Sequence, residues 1–185
     1  QVITPGTVVS SSMLAEKSNN YLASCYFGNH EVGLVHADIS TGEIFATRIT
    51  GDFIKEWLLN ELIKISPKEI IMGGSYEGKL EQEEVREWTG AYVHNGERNT
   101  VHKGNMEDVL TLQFPQGLTS MGLTPKGADT YALGLLLSYV KENHKTGLSH
   151  MGQVKTYGLH HHMALDKATI RNLELTETIF DKTVQ

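Results

Sequence analysis

The 185 residues, 39% hydrophobic and 21% charged, suit one globular domain with a short appendage, and the composition is neither disordered nor collagen-like. Apolar runs such as Ala132 to Leu137 fall far short of the ~20 residues a bilayer crossing needs, so a soluble protein with no membrane span is expected. The net charge of -6 resides in residues 1–152, which hold 12 Lys and Arg against 18 Asp and Glu, while 153–185 hold 4 against 4; a basic footprint for nucleic acid is missing, and only weak, unselective DNA binding is expected.

The chain opens at Gln1 with no initiator methionine and no basic-then-apolar leader, and is expected to be a piece of a longer protein. Tyr21 to Phe27, Val32 to Ile39 and Ile44 to Ile49 are rich in β-branched and aromatic residues. Gly28-Asn29-His30 and Ser40-Thr41-Gly42 separate them, and connections this short predict an antiparallel meander. Asp52 is the expected N-cap of a helix carrying Ile54, Trp57, Leu58, Leu62 and Ile65 on one face, with Pro67 beyond its end. Glu69 to Met72 then reads as a short buried strand closing a right-handed crossover.

Residues 77–90 are acidic with helical character, and Ala91 to Val93 reads as another strand. In 105–114, Met106, Leu110 and Phe114 share a helical face that should point inward, leaving Asp108, Thr111 and the flank of Val109 to solvent. That outer flank is the candidate partner-binding surface. The best-defined helix spans 128–145, with a stripe of Ala132, Leu135, Leu136, Tyr139 and Val140 and with Gly147 as its C-cap. Residues 148–164 lack helical period. Asp166 then opens a helix whose Ile170, Leu173, Leu175, Ile179 and Phe180 need an apolar partner; self-association is the expected outcome where none is supplied. The sum is an α/β fold with a mixed sheet, followed by a C-terminal helical segment.

Motifs that could carry chemistry are incomplete. Gly73-Gly74-Ser75-Tyr76-Glu77-Gly78-Lys79 follows a strand as a phosphate-binding loop does, but position 80 is Leu, with no hydroxyl for magnesium, and Glu77 sets a negative charge where phosphates would lie. Gly117, Gly122 and Gly127 share the glycine spacing without a following Lys. Asp38-Ile39-Ser40-Thr41-Gly42 is similar to the aspartic-protease turn, yet its carboxylate comes two residues early and the second half-site is absent; a local turn held by Asp38 is the plainer reading. His160-His161-His162 has metal-binding composition, but alternation on a strand sends His161 to the opposite face. Cys25, the lone cysteine, reads as a buried core thiol, and nothing marks Ser24, Cys25 or Ser138 as a nucleophile.

Several segments taken together resemble the MutS family of DNA mismatch-repair proteins. They are Val2 to Thr7, Asn19 to Ala23, Asp38 to Glu43, Leu62 to Glu69 with Ser66-Pro67, and above all Leu165-Asp166-Lys167-Ala168-Thr169-Ile170-Arg171-Asn172-Leu173-Glu174-Leu175. Ile170 departs from the family, many of whose members carry a second Arg there, and 73–104 matches poorly. The resemblance implies a ribonuclease H-like connector domain over 1–150, a linker over 151–164 and the truncated first helix of the core domain over 165–185. It also implies the function: a connector that couples the mismatch-binding domain to the core and ATPase domains and contacts a MutL-type partner. Hinges are expected at Thr4-Pro5-Gly6 and in 148–164.

The family's mismatch-reading Phe-x-Glu occurs nowhere in the chain and its P-loop is missing, so no catalysis and no cofactor are expected of this piece. ATP, magnesium, mismatched DNA and homodimerisation belong, by the same resemblance, to a cytoplasmic parent protein. The competing readings are a metal-dependent ribonuclease H-like nuclease built around Asp38 and a nucleotide-binding module at 73–79.

Overall fold

The computed structural model describes residues 20–76, 80–96, 103–144 and 147–159. Its elements, in chain order, are β1 (Tyr21–Phe27), β2 (Glu31–Asp38), β3 (Glu43–Thr50), α1 (Ile54–Ile65), β4 (Glu69–Gly74), α2 (Gln82–Thr89), β5 (Tyr92–Asn95), α3 (Lys103–Gln113), a 3-10 turn (Thr119–Met121), α4 (Ala128–Asn143) and β6 (Val154–Thr156). The strands form one six-stranded sheet in the order β5-β4-β1-β2-β3-β6. The meander pairs antiparallel, from Tyr21 opposite Asp38 to Phe27 opposite Val32 and onward into β3; β4, β5 and β6 add in parallel, so β2 alone runs against the rest.

Period-two alternation buries both faces. Leu22, Val35, Ala37, Ile44, Ala46 and Ile71 point to one face, against α3 and α4. Ala23, Cys25, Val32, Leu34, Ile49, Ile70 and Met72 point to the other, against α1 and α2. Helix α4 comes so close to the sheet that only a residue without Cβ fits beneath it: a Cβ on Gly33 would lie 2.0 Å from the Ala128 carbonyl oxygen. No helix among the described residues is long and apolar enough to cross a membrane.

Several expectations change. Asp52 is not the cap of α1; Phe53 occupies that position in left-handed conformation (φ 62°), with no side-chain capping bond. Helix α4 ends at Asn143, where the His144 N–H donates to the Val140 carbonyl, so Gly147 lies beyond the cap. The α4 stripe is too narrow, because Leu133, Gly134, Leu137 and Ser138 are buried as well: α3 covers the side the sheet leaves free. The sheet also takes in a strand beyond the expected domain end at residue 150. Within the anticipated 151–164 linker, Met151 is fully buried, β6 pairs with Ile44 to Ala46, and Gln113 donates to the carbonyls of Leu148 and Met151. The fifth strand is displaced by a residue or two from Ala91–Val93 to Tyr92–Asn95. The Thr4-Pro5-Gly6 hinge, Glu77 to Lys79, the His160-His161-His162 run and the 165–185 helix lie outside the described residues.

Candidate functional site

Asp38, Cys25 and Ser24 are held in structural roles, while the Ser138 hydroxyl is buried without a partner. Asp38 accepts hydrogen bonds from the Ser40 N–H (2.8 Å) and the Ser40 hydroxyl, and these bonds hold its carboxyl below the usual aspartate range. It closes the β2–β3 turn, as a local-turn reading expects. Burial pushes the Cys25 thiol up to about 12, which removes the thiolate a nucleophile requires. The Ser24 hydroxyl donates to the Ala132 carbonyl at 2.7 Å and pins α4 to β1. Ser138 is buried in α4. Of the glycine-spaced loop, Gly74 is in left-handed conformation (φ 79°) with its Cα side pressed on the backbone of Phe27. No group of three or more His, Cys, Asp or Glu among the described residues could hold a metal ion.

The partner-surface residues separate. Asp108 and Thr111 are exposed on α3, as expected, but Val109 is buried against α4 and its flank is not available to solvent. The reason is that α3 meets α4 across a broad face: Met106, Val109, Leu110 and Phe114 all enter the core. The exposed apolar residue of this helix is Leu112, at 79%.

The opposite face of the sheet holds a site that sequence reading missed. A cavity of about 610 Å³ lies between the last turn of α1 and the sheet, lined by Tyr21, His36, Phe45, Glu61, Lys64 and Tyr157 together with residues at the C-terminus of α1. The His36 ring stacks on Phe45 (5.1 Å between centroids) and takes the edges of Tyr21 (5.3 Å) and Tyr157 (6.1 Å). Its Nδ1 is buried without a partner. Burial lowers the His36 pKa to about 4, so the ring is neutral at pH 7. The Glu61 carboxylate receives the Lys64 ammonium at 3.2 Å and the Tyr157 hydroxyl at 3.4 Å. Burial, reinforced by that carboxylate, raises the Tyr157 hydroxyl well above the usual tyrosine range. Its residues come from positions 21 to 157, so no local spacing announces the cluster. The one available signal is His36 itself, a polar residue at an inward position of the otherwise apolar run Val32 to Ala37.

Comparison with known proteins gives this geometry a context. The family model described as MutS domain II matches residues 20–152, most of the described sheet and its helices. The chain belongs to the MutS family. Relatives named DNA mismatch repair protein MutS include those of Ruminiclostridium cellulolyticum (37% identical over 98% of this chain and 21% of the relative), Alkaliphilus oremlandii (35%, 98% and 21%) and Halothermothrix orenii (35%, 97% and 20%). The chain thus spans about a fifth of the length of the MutS relatives it matches. The MutS domain II match ends at residue 152, whereas the sheet continues to β6 at 154–156.

Proposed function

We propose that this chain is the connector portion of a cytoplasmic, homodimeric MutS-type mismatch-recognition protein, with a ribonuclease H-like fold, and that its work is mechanical. It carries the state of a mismatch-binding domain to core and ATPase domains and offers a docking surface to a MutL-type partner. The observation that carries this reading is the MutS domain II match over 20–152. The architecture agrees with it: a meander followed by alternating helices and strands, apolar on both faces, makes a body stiff enough to pass a displacement from one end to the other. In the intact protein, ATP, magnesium and mismatched DNA are bound by domains outside this chain.

The exposed outer side of α3, at Asp108 and Thr111, is the partner surface we propose, with Val109 now excluded as a direct contact because it is buried. Charge reversal Asp108→Lys in the full-length protein should slow MutL recruitment while mismatch binding is unchanged, because a rim charge acts chiefly on encounter. Recruitment at the wild-type rate would remove α3 from the interface.

A further inference from the structure

The cavity beside α1 has a chemistry that coupling does not use. Two full charges line it, and they are placed unequally: the Glu61 side chain is 13% exposed and that of Lys64 44%, so the carboxylate lies inside and the ammonium at the rim. Helix α1 also ends here. The Ser66 N–H takes up the Leu62 carbonyl, and Ile65 and Ser66 line the cavity, so the negative end of the helix dipole borders it. His36 is neutral and adds no positive charge. The rest of the lining is the rings of Tyr21, His36, Phe45 and Tyr157, with Ile65 and Ser66 at the helix end. The interior therefore combines a mostly covered carboxylate, a negative helix end and π faces.

We propose that this cavity binds an organic cation of the arginine or lysine type, a guanidinium or primary ammonium on an apolar stem, with the stem among the rings of Tyr21 and Tyr157 and the charge on Glu61. A cation gains from aromatic faces and from a carboxylate that water reaches poorly. An anion would meet Glu61 and the helix end, and an uncharged apolar ligand would strip water from Glu61 without replacing it. Lys64 does not close the site. The Lys64 ammonium reaches Glu61 from the solvent side of the cavity, where water competes for it, so an entering cation displaces or shares it. Lys155 already makes the same kind of contact with Phe45, its Nζ 5.4 Å from the ring centroid. About 610 Å³ lies within the ~300–1,000 Å³ of small-ligand sites.

Tyr21 and Tyr157 stand near the two ends of the described stretch, so the site opens where the chain enters and leaves the sheet. The cation can come from this chain's own Lys167, Arg171 or Lys182, or from another polypeptide. The proposal stands apart from the connector reading and fails or survives separately from it.

The test is a titration of the full chain with N-acetyl-arginine amide, followed by NMR of the His36, Tyr21 and Tyr157 ring protons, with the neutral isostere N-acetyl-citrulline amide as control. Saturable shifts with the arginine probe and none with citrulline are expected. Glu61→Gln should weaken binding by about tenfold or more, and Lys64→Gln, which removes the competing cation from an exposed position, should tighten it about two- to fivefold. Should Glu61→Gln fail to fold, the Lys64→Gln arm decides alone. A Lys167, Arg171, Lys182 triple Gln variant tests the chain's own cations as the source: tighter probe binding identifies one of them as the occupant, and unchanged binding excludes them. Equal response to citrulline, absence of saturation, or affinity indifferent to Lys64→Gln overturns the proposal.

Discussion

The two faces of the sheet are closed in different ways. On the α4 side, a helix buried nearly all round is pressed onto Gly33 and covered in turn by α3, and Leu133, Leu136, Leu137 and Val140 are fully out of water. On the α1 side, two helices cover the sheet at Leu34, Ile70 and Met72 but leave the ends of β1, β2 and β3 under a cluster of rings with a neutral histidine at its centre. The first face is a packed apolar core. The second is closed by rings around a recess; buried polar atoms without a partner occur on both sides, at His36 Nδ1 and Thr47 Oγ1 on this one and at Asp129 Oδ1 and Ser138 Oγ on α4, so it is the recess that sets this face apart. The difference places stiffness and adaptability on opposite sides of one sheet.

The largest effect should come from the tightest contact. Gly33→Ala drives a Cβ into backbone that cannot rotate away, and should cost about 4 kcal/mol in urea unfolding, at the severe end of single substitutions. A loss below about 1 kcal/mol would mean that α4 rides looser than described. Leu136→Ala empties a fully buried site on the same face and should cost about 3 kcal/mol, within the 2–5 range of such truncations.

The α1 face should reveal itself through pH. His36 is held neutral when folded, with a pKa of about 4, against 6.5 when unfolded. The unfolded chain therefore binds the extra proton between these values; the contribution of His36 is complete above pH 6.5 and is lost as pH falls toward 4. At about 1.4 kcal/mol per pH unit over the 6.5-to-4 window, this amounts to roughly 3 kcal/mol. His36→Phe, which keeps a ring among the rings, should flatten the stability profile across that window, measured by urea midpoints from pH 7 to 4. An unchanged slope would contradict the burial of a neutral imidazole.

The smallest effect belongs to the seam joining the faces. Glu31 on β2 pairs with Arg48 on β3 and accepts the Ala128 N–H at the start of α4, where Gly127 offers no side-chain cap. Glu31→Gln should cost about 1 kcal/mol, with most of the loss disappearing in 1 M salt. A salt-independent loss would assign Glu31 to packing instead.

What the sequence discloses follows this division. The meander, α1 and α4 are legible because their apolar periods are long and their turns are marked by Gly28 and Gly42. The strand β6 is not: three residues with one apolar side chain carry no period, and their place in the sheet is decided by the free edge of β3. Val109 was expected at a flank because helical spacing ranks neighbours on one helix and is blind to a second helix arriving, as α4 does. The role of Asp38 was readable from Ser40 two residues away, a local bond written in local sequence. The ring cluster was not readable, since Tyr21, His36, Glu61 and Tyr157 meet through tertiary packing.

Native-state hydrogen exchange over residues 20–159 tests the division between a stiff and an adaptable face most directly. The amides of α4, β1 and β2 should exchange through global unfolding alone, while those of the last turn of α1 should open at a clearly lower free energy. Equal protection in α4 and at the end of α1, or faster exchange in α4 than at the end of α1, would contradict it.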